Sequence, residues 1–155
     1  MIFTRVRKYP LPLTKEAFMN RLAGKHIKIH DLDFEVYDQE TLLKIAPHTE
    51  YLDEIKTLPI TDVDVVTEGN QNKVVLTSKI RVIDYGGPLL IMLFCAFLFA
   101  AALILFILGG EPHITYLLFG ASLLVFGAFW VRMQRGYFDY VRKLENFVKT
   151  QVQVS

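Results

Sequence analysis

Residues 88–108 read PLLIMLFCAFLFAAALILFIL and, after GGEPH at 109–113, residues 114–131 read ITYLLFGASLLVFGAFWV. Neither run contains a charged residue. As helices rising about 1.5 Å per residue they reach roughly 31 and 27 Å, close to the hydrocarbon thickness of a bilayer. The pattern predicts a transmembrane helical hairpin with spans 88–108 and 114–131, turning at Gly109-Gly110.

Charge on either side of these runs predicts their orientation. Arg132, Arg135, Arg142, Lys143 and Lys149 follow the second span, Lys73, Lys79 and Arg81 precede the first, and the connecting loop carries only Glu111. Basic residues are retained on the cytosolic side, so both termini are expected in the cytosol and the loop outside. The first eight residues, Met1 to Lys8, lack the apolar run of a signal peptide, which agrees with an N-terminus that stays where it is made. Tyr85 and Trp130 would then stand at the cytosolic interface and Tyr116 at the outer one. The layout predicts an integral membrane protein in the lipid bilayer; it resembles that of small bacterial membrane proteins, which implies a bacterial inner membrane.

Outside the spans the composition changes. Residues 1–87 hold 12 Lys and Arg against 13 Asp and Glu, and residues 132–155 hold five against two. No basic surface large enough for nucleic acid follows from that balance. The expected fold is a membrane α+β protein: a small N-terminal antiparallel-sheet domain with one helix (1–87), the hairpin (88–131) and a basic amphipathic C-terminal helix (132–155).

Within 1–87 the alternation of apolar and polar residues marks strands at 1–9, across Ile27 to Val36, at 42–46, 61–67 and 73–83. Pro10 and Pro12 should end the first strand and Pro47 the third. Between the first two, Thr14 reads as an N-cap, Leu13 and Phe18 as a hydrophobic staple, and Gly24 as a left-handed cap, giving a helix over 14–23 with Ala17, Phe18, Arg21 and Leu22 on its buried edge. The phase of the alternation slips at His30-Asp31, as a bulge or a tight turn requires. Residues 48–58 fit either a helical turn or a loop. Val63, Val65, Val74, Leu76 and Ile80 are expected to face Phe18 and Leu22.

In the tail, Tyr137, Val141, Leu144, Val148 and Gln151 or Val152 recur at helical spacing, broadened by Tyr140 and Phe147, while Arg142, Lys143, Glu145, Asn146 and Lys149 take other faces. Such a helix either lies on the membrane surface, packs on the N-terminal domain, or pairs as a short coiled coil. On the first reading Arg135, Arg142, Lys143 and Lys149 contact the headgroups, and Gly136 breaks the helix from the second span.

Residues with chemical potential are sparse. His26, His30 and His48 with Asp31, Asp33 and Asp38 form the one group that suggests a metal, but no HExxH or paired-cysteine spacing accompanies them, so a solvated strand face is expected and no metal. Asp62, Asp64 and Glu68 alternate with valines as the wet face of a strand does. Gly86-Gly87 and Gly109-Gly110 lack the lysine of a phosphate loop and read as turns. No catalytic residue and no cofactor is expected. Cys95, the single cysteine, reads as a small apolar packer inside the first span.

Ala96 and Ala100 in the first span, and Gly120 and Gly127 in the second, offer grooves for close helix approach, used either between the two spans or toward a second protomer or a membrane partner. These features favour a non-enzymatic, membrane-anchored interaction module with a protein partner or self-association through the spans. The alternatives are an accessory subunit of a larger membrane complex, such as a transporter, and thirdly an enzyme or lipid-ligand binder.

Overall fold

A computed structural model describes residues 3–39, 41–48, 57–69 and 71–153. The question of helix or loop over 48–58 falls mostly on 49–56, outside the described residues. The fold is α+β, and the chain divides into two compact units, Met1–Arg81 together with Gly136–Ser155, and Val82–Arg135. These units cut the chain differently from composition, because the C-terminal helix belongs with the N-terminal sheet.

The first unit is a six-stranded antiparallel half-barrel in the order β1-β6-β5-β4-β3-β2. Its strands are β1 (Arg5–Leu11), β2 (His26–Ile29), β3 (Leu32–Gln39), β4 (Leu42–Pro47), β5 (Pro59–Glu68) and β6 (Gln71–Ile80). The phase slip at His30-Asp31 is a two-residue turn with Ile29 opposite Leu32, and His30 takes a left-handed φ of 56°. One expected strand is therefore two. A second two-residue turn brings Glu68 opposite Gln71, with Gly69 at φ 66°, where glycine avoids the Cβ clash.

Several strand ends differ from expectation, two of them for a clear physical reason. β1 continues through Pro10 to Leu11, paired with β6 along its whole length. As an edge strand it tolerates proline, since the missing N–H costs nothing on the side without a neighbour. β6 stops at Ile80 instead of Ile83, and Val82–Asp84 form a 3-10 turn. Val82 and Ile83 are consecutive apolar residues, and a strand would have sent them to opposite faces.

One face of the sheet is apolar and carries two helices. Helix α1 (Lys15–Leu22) is capped by Thr14, whose Oγ1 accepts from the Ala17 amide at 3.4 Å, and Gly24 follows at φ 70°. It buries Phe18 and Leu22, whereas Ala17 is exposed and Arg21 only half-buried. Val63, Val65, Val74 and Leu76 share the core with both residues; Ile80 is buried on the same face of β6.

The tail forms α4 (Tyr137–Gln153), which buries Tyr140, Leu144, Val148 and Val152 in the same core. Its apolar stripe covers the sheet, which removes the reading in which that stripe lies in lipid. Where the sheet centre carries polar side chains they satisfy each other: Thr61 Oγ1 and Ser78 Oγ lie 2.8 Å apart, both buried, across the β5–β6 ladder.

The second unit is a helical hairpin, α2 (Gly86–Ile107) and α3 (Pro112–Arg135), preceded by the 3-10 turn. Both helices are long and apolar enough to cross a membrane. Pro88 sits in the first turn of α2, where its missing N–H has no intrahelical partner to lose. The helix breaks at Gly136 between α3 and α4.

Candidate functional site

Three groups of polar side chains stand out among the described residues of the sheet unit. On the open face, β2, β3 and the residue after β4 bring together two imidazole–carboxylate pairs: His26 Nδ1 lies 2.7 Å from Asp33 Oδ2, and His48 Nδ1 lies 2.8 Å from Glu35 Oε2. The two imidazoles meet edge to face with centroids 5.7 Å apart, and the Tyr37 hydroxyl is 3.5 Å from His48 Nδ1. The hydrogen bond to Asp33 raises the His26 pKa, and the Glu35 carboxylate raises that of Tyr37.

This cluster includes His26, His48 and Asp33 from the expected group and adds Glu35, which alternation along β3 places between Asp33 and Tyr37 on one face. Lys28 shares the exposed face of β2 with His26. Among the described residues no group of three or more His, Cys, Asp or Glu is arranged to hold a metal ion.

His30 belongs elsewhere. The left-handed turn points it to α4, where its Nε2 is 3.0 Å from Asp139 Oδ2 and 2.6 Å from Lys143 Nζ, which in turn reaches Asp139 at 3.1 Å. One ring nitrogen cannot serve both neighbours at once: with its proton it donates to Asp139, and without it accepts from Lys143. The hydrogen bonds from His30 and Lys143 hold the Asp139 carboxyl below its ordinary value.

The third group fastens α4 to β1. Glu145 is only 7% exposed, and its Oε1 lies 3.0 Å from Arg5 Nε and 4.0 Å from Arg7 Nε. The helical stripe assigns Glu145 to an outer face, yet its register on α4 brings it over two arginines of the edge strand, which compensate a buried charge. Nearby, the Tyr137 hydroxyl donates to the Phe3 carbonyl at 2.7 Å, and burial pushes its pKa up to about 12. A cleft of about 630 Å³ opens between Pro10–Thr14 and Gln71-Asn72. No charged side chain lines it.

In the hairpin unit the helices meet along residues spaced by seven. Pro88, Cys95 and Ala102 of α2 are buried, as are Thr115, Ser122 and Phe129 of α3. Ser122 Oγ donates to the Cys95 carbonyl at 3.1 Å, which fixes the antiparallel register and puts Ala102 level with Thr115 and Pro88 level with Phe129. A seven-residue period with small or hydroxylated side chains lets two backbones approach closely.

The small residues singled out from sequence lie beside this seam. Ala96, Ala100, Gly120 and Gly127 are all exposed. At 100° per residue, Gly120 sits about 160° around α3 from Ser122, on the side away from α2. A Cβ built on Gly120 or Gly127 meets no atom within 4 Å. The signal that marks the seam in the sequence is the seven-residue spacing of Cys95 with Ala102 and of Thr115 with Ser122.

Of the basic residues expected at a membrane surface, Arg135, Arg142 and Lys149 are exposed and Lys143 is engaged with Asp139 and His30. Compared with protein-family models, with curated proteins and with solved structures, the chain matches none.

Proposed function

We propose that this chain is a two-span integral membrane protein whose sheet unit acts as a non-enzymatic interaction module on the cytosolic side of the bilayer. The observation that carries the reading is the outward display of apolar side chains from α2 and α3. Away from the seam, Phe97, Phe106, Ile107, Leu117 and Leu124 are all exposed, and α2 and α3 are long enough to span the hydrocarbon. A core helix of a water-soluble protein would bury such residues. Clusters of exposed apolar side chains on this scale are stable in lipid and not in water.

The orientation rests on charge. Arg132 and Arg135 end α3, whereas the connecting residues 108–111 have no basic side chain. A bacterial inner membrane supplies the two-span, both-ends-inside environment that this distribution fits. Membrane insertion and topology are tested together by alkaline extraction of the full chain and by labelling of a cysteine at Glu111 in intact cells. Release by alkali would overturn the membrane reading, and failure of an impermeant reagent to reach position 111 would overturn the topology.

A second reading is favoured by the outward position of Gly120 and Gly127: the chain is an accessory subunit whose α3 docks against a larger membrane complex. Purification of the full chain in mild detergent, followed by mass spectrometry, separates the two. Gly120→Leu with Gly127→Leu should release partners held through α3. Asp33→Lys with Glu35→Lys should release partners held by the open face of the sheet.

A further inference from the structure

Among the described residues, Val82 and Ile83 are the most exposed large apolar side chains, at 90% and 81%. They occupy the 3-10 turn that opens the hairpin unit, three to four residues before α2 begins. The register of the hairpin gives this turn its neighbours. With Cys95 level with Ser122, positions ten and thirteen residues before Cys95 come level with those ten and thirteen after Ser122, so Tyr85 stands beside Arg132 and Val82 beside Arg135, to within about one helical turn. Trp130, exposed at 43%, comes level with Gly87.

Neither Arg132 nor Arg135 makes an ion pair or hydrogen bond among the described residues, and both are exposed. Asp84 is the one acidic residue in the collar, so the two arginines leave it net positive. Apolar side chains, a tryptophan and unpaired guanidinium groups at one level are what the boundary between headgroups and acyl chains accommodates. Water offers Val82 and Ile83 nothing comparable.

We propose that Val82 and Ile83 form an apolar wedge seated in the interfacial layer of the bilayer, and that Arg132 and Arg135 beside it recruit the phosphate groups of anionic phospholipids. The inference rests on the membrane reading above and extends it to a lipid class and a named contact. It shares Arg135 with the sequence expectation but places the contacts at the base of the hairpin and not along the tail helix with Arg142, Lys143 and Lys149.

The test uses the full chain in vesicles of phosphatidylcholine and phosphatidylglycerol. Trp130 is the only tryptophan, so its fluorescence reports on the collar without any substitution. Brominated phosphatidylglycerol should quench it at least about twofold more than brominated phosphatidylcholine at equal mole fraction, because each arginine near a surface attracts anionic lipid. The ratio should fall to about one in Arg132→Gln with Arg135→Gln. A ratio of one in the unaltered chain would overturn the anionic preference.

For the wedge, an environment-sensitive fluorophore is placed on Ile83→Cys, and separately on Phe97→Cys, in a Cys95→Ala background. Quenching of the Ile83 probe by shallow spin-labelled lipids supports the wedge. A water-like Ile83 probe beside a lipid-quenched Phe97 probe would overturn the wedge while the membrane reading stands. Water-like signals from both would overturn the two together.

Discussion

Replacing Leu144 with alanine asks whether α4 is part of the sheet unit or an accessory to it. Leu144 is fully buried in the core it shares with Phe34, Val63 and Val74. Truncating such a leucine removes its transfer energy and leaves a cavity, which together cost about 3 kcal/mol or more. Amides of β5 and β6 that exchange only through global unfolding should then exchange about 100-fold faster, since about 1.4 kcal/mol is a factor of ten. Hydrogen–deuterium exchange of the full chain in detergent reads this directly and is insensitive to the hairpin. Lys149→Ala, on the exposed side of α4, should stay within about 0.5 kcal/mol of the parent. Unchanged protection of β5 and β6 in Leu144→Ala would refute the packing of α4 on the sheet.

Other substitutions probe other joints. Phe18→Ala empties a fully buried ring site under α1 and should cost about 3–5 kcal/mol in the same exchange measurement. Tyr137→Phe removes the bond to the Phe3 carbonyl and should cost about 1 kcal/mol, seen as faster exchange at the start of β1. Hydrogen bonds from Lys73 and Lys8 bring the Glu68 carboxyl from 4.5 down to about 2. Its folded value lies below its unfolded one, so this pairing contributes above about pH 4.5 and is lost as pH falls through about 2. An NMR titration should find Glu68 back in the ordinary carboxylate range in Lys8→Ala with Lys73→Ala. His26 behaves oppositely: its value is raised above 6.5 by Asp33, so the pair stabilises below 6.5 and fades as pH rises through the folded value. Asp33→Asn should lower the His26 midpoint.

Much of this architecture follows from local pattern. The hairpin is written in two uncharged runs, and the cap and the left-handed glycine of α1 are each set by one residue with one conformational preference. The alternation along β5 and β6 marked the strands but left open which parity faces inward, because Val66 and Val75 stand on the face opposite Val65 and Val74; packing beneath the helices decides it. Turns were less legible. His30-Asp31 produces the same phase slip as a bulge, and only pairing with a partner strand distinguishes them.

Long-range contacts were least legible of all. Nothing near Glu145 in the sequence announces Arg5, which lies 140 positions away, and the compensation of its charge depends on how α4 crosses the edge strand. Likewise the His30–Asp139–Lys143 group exists because a turn near the start meets a helix near the end. Gly120, read from sequence as a place of close helix approach, lies exposed beside the seam, and the two helices meet instead at Cys95, Ala102, Thr115 and Ser122.

The sheet unit is built from both ends of the chain, and this constrains its synthesis. When Arg81 leaves the ribosome all six strands are present, but Tyr140, Leu144, Val148 and Val152, which cover part of the apolar face, have not been made. The intervening residues are those of the hairpin. At about 5–20 residues per second the delay before α4 arrives is roughly 4–14 s. During that interval the nascent chain presents an incompletely covered apolar sheet face with open edges at β1 and β2, the form most prone to association with other chains. A ribosome stalled anywhere in the hairpin would prolong that exposure, and a message truncated before α4 would make it permanent. Chaperone capture of the first unit should therefore peak while the hairpin is being translated and end when residue 152 clears the exit tunnel.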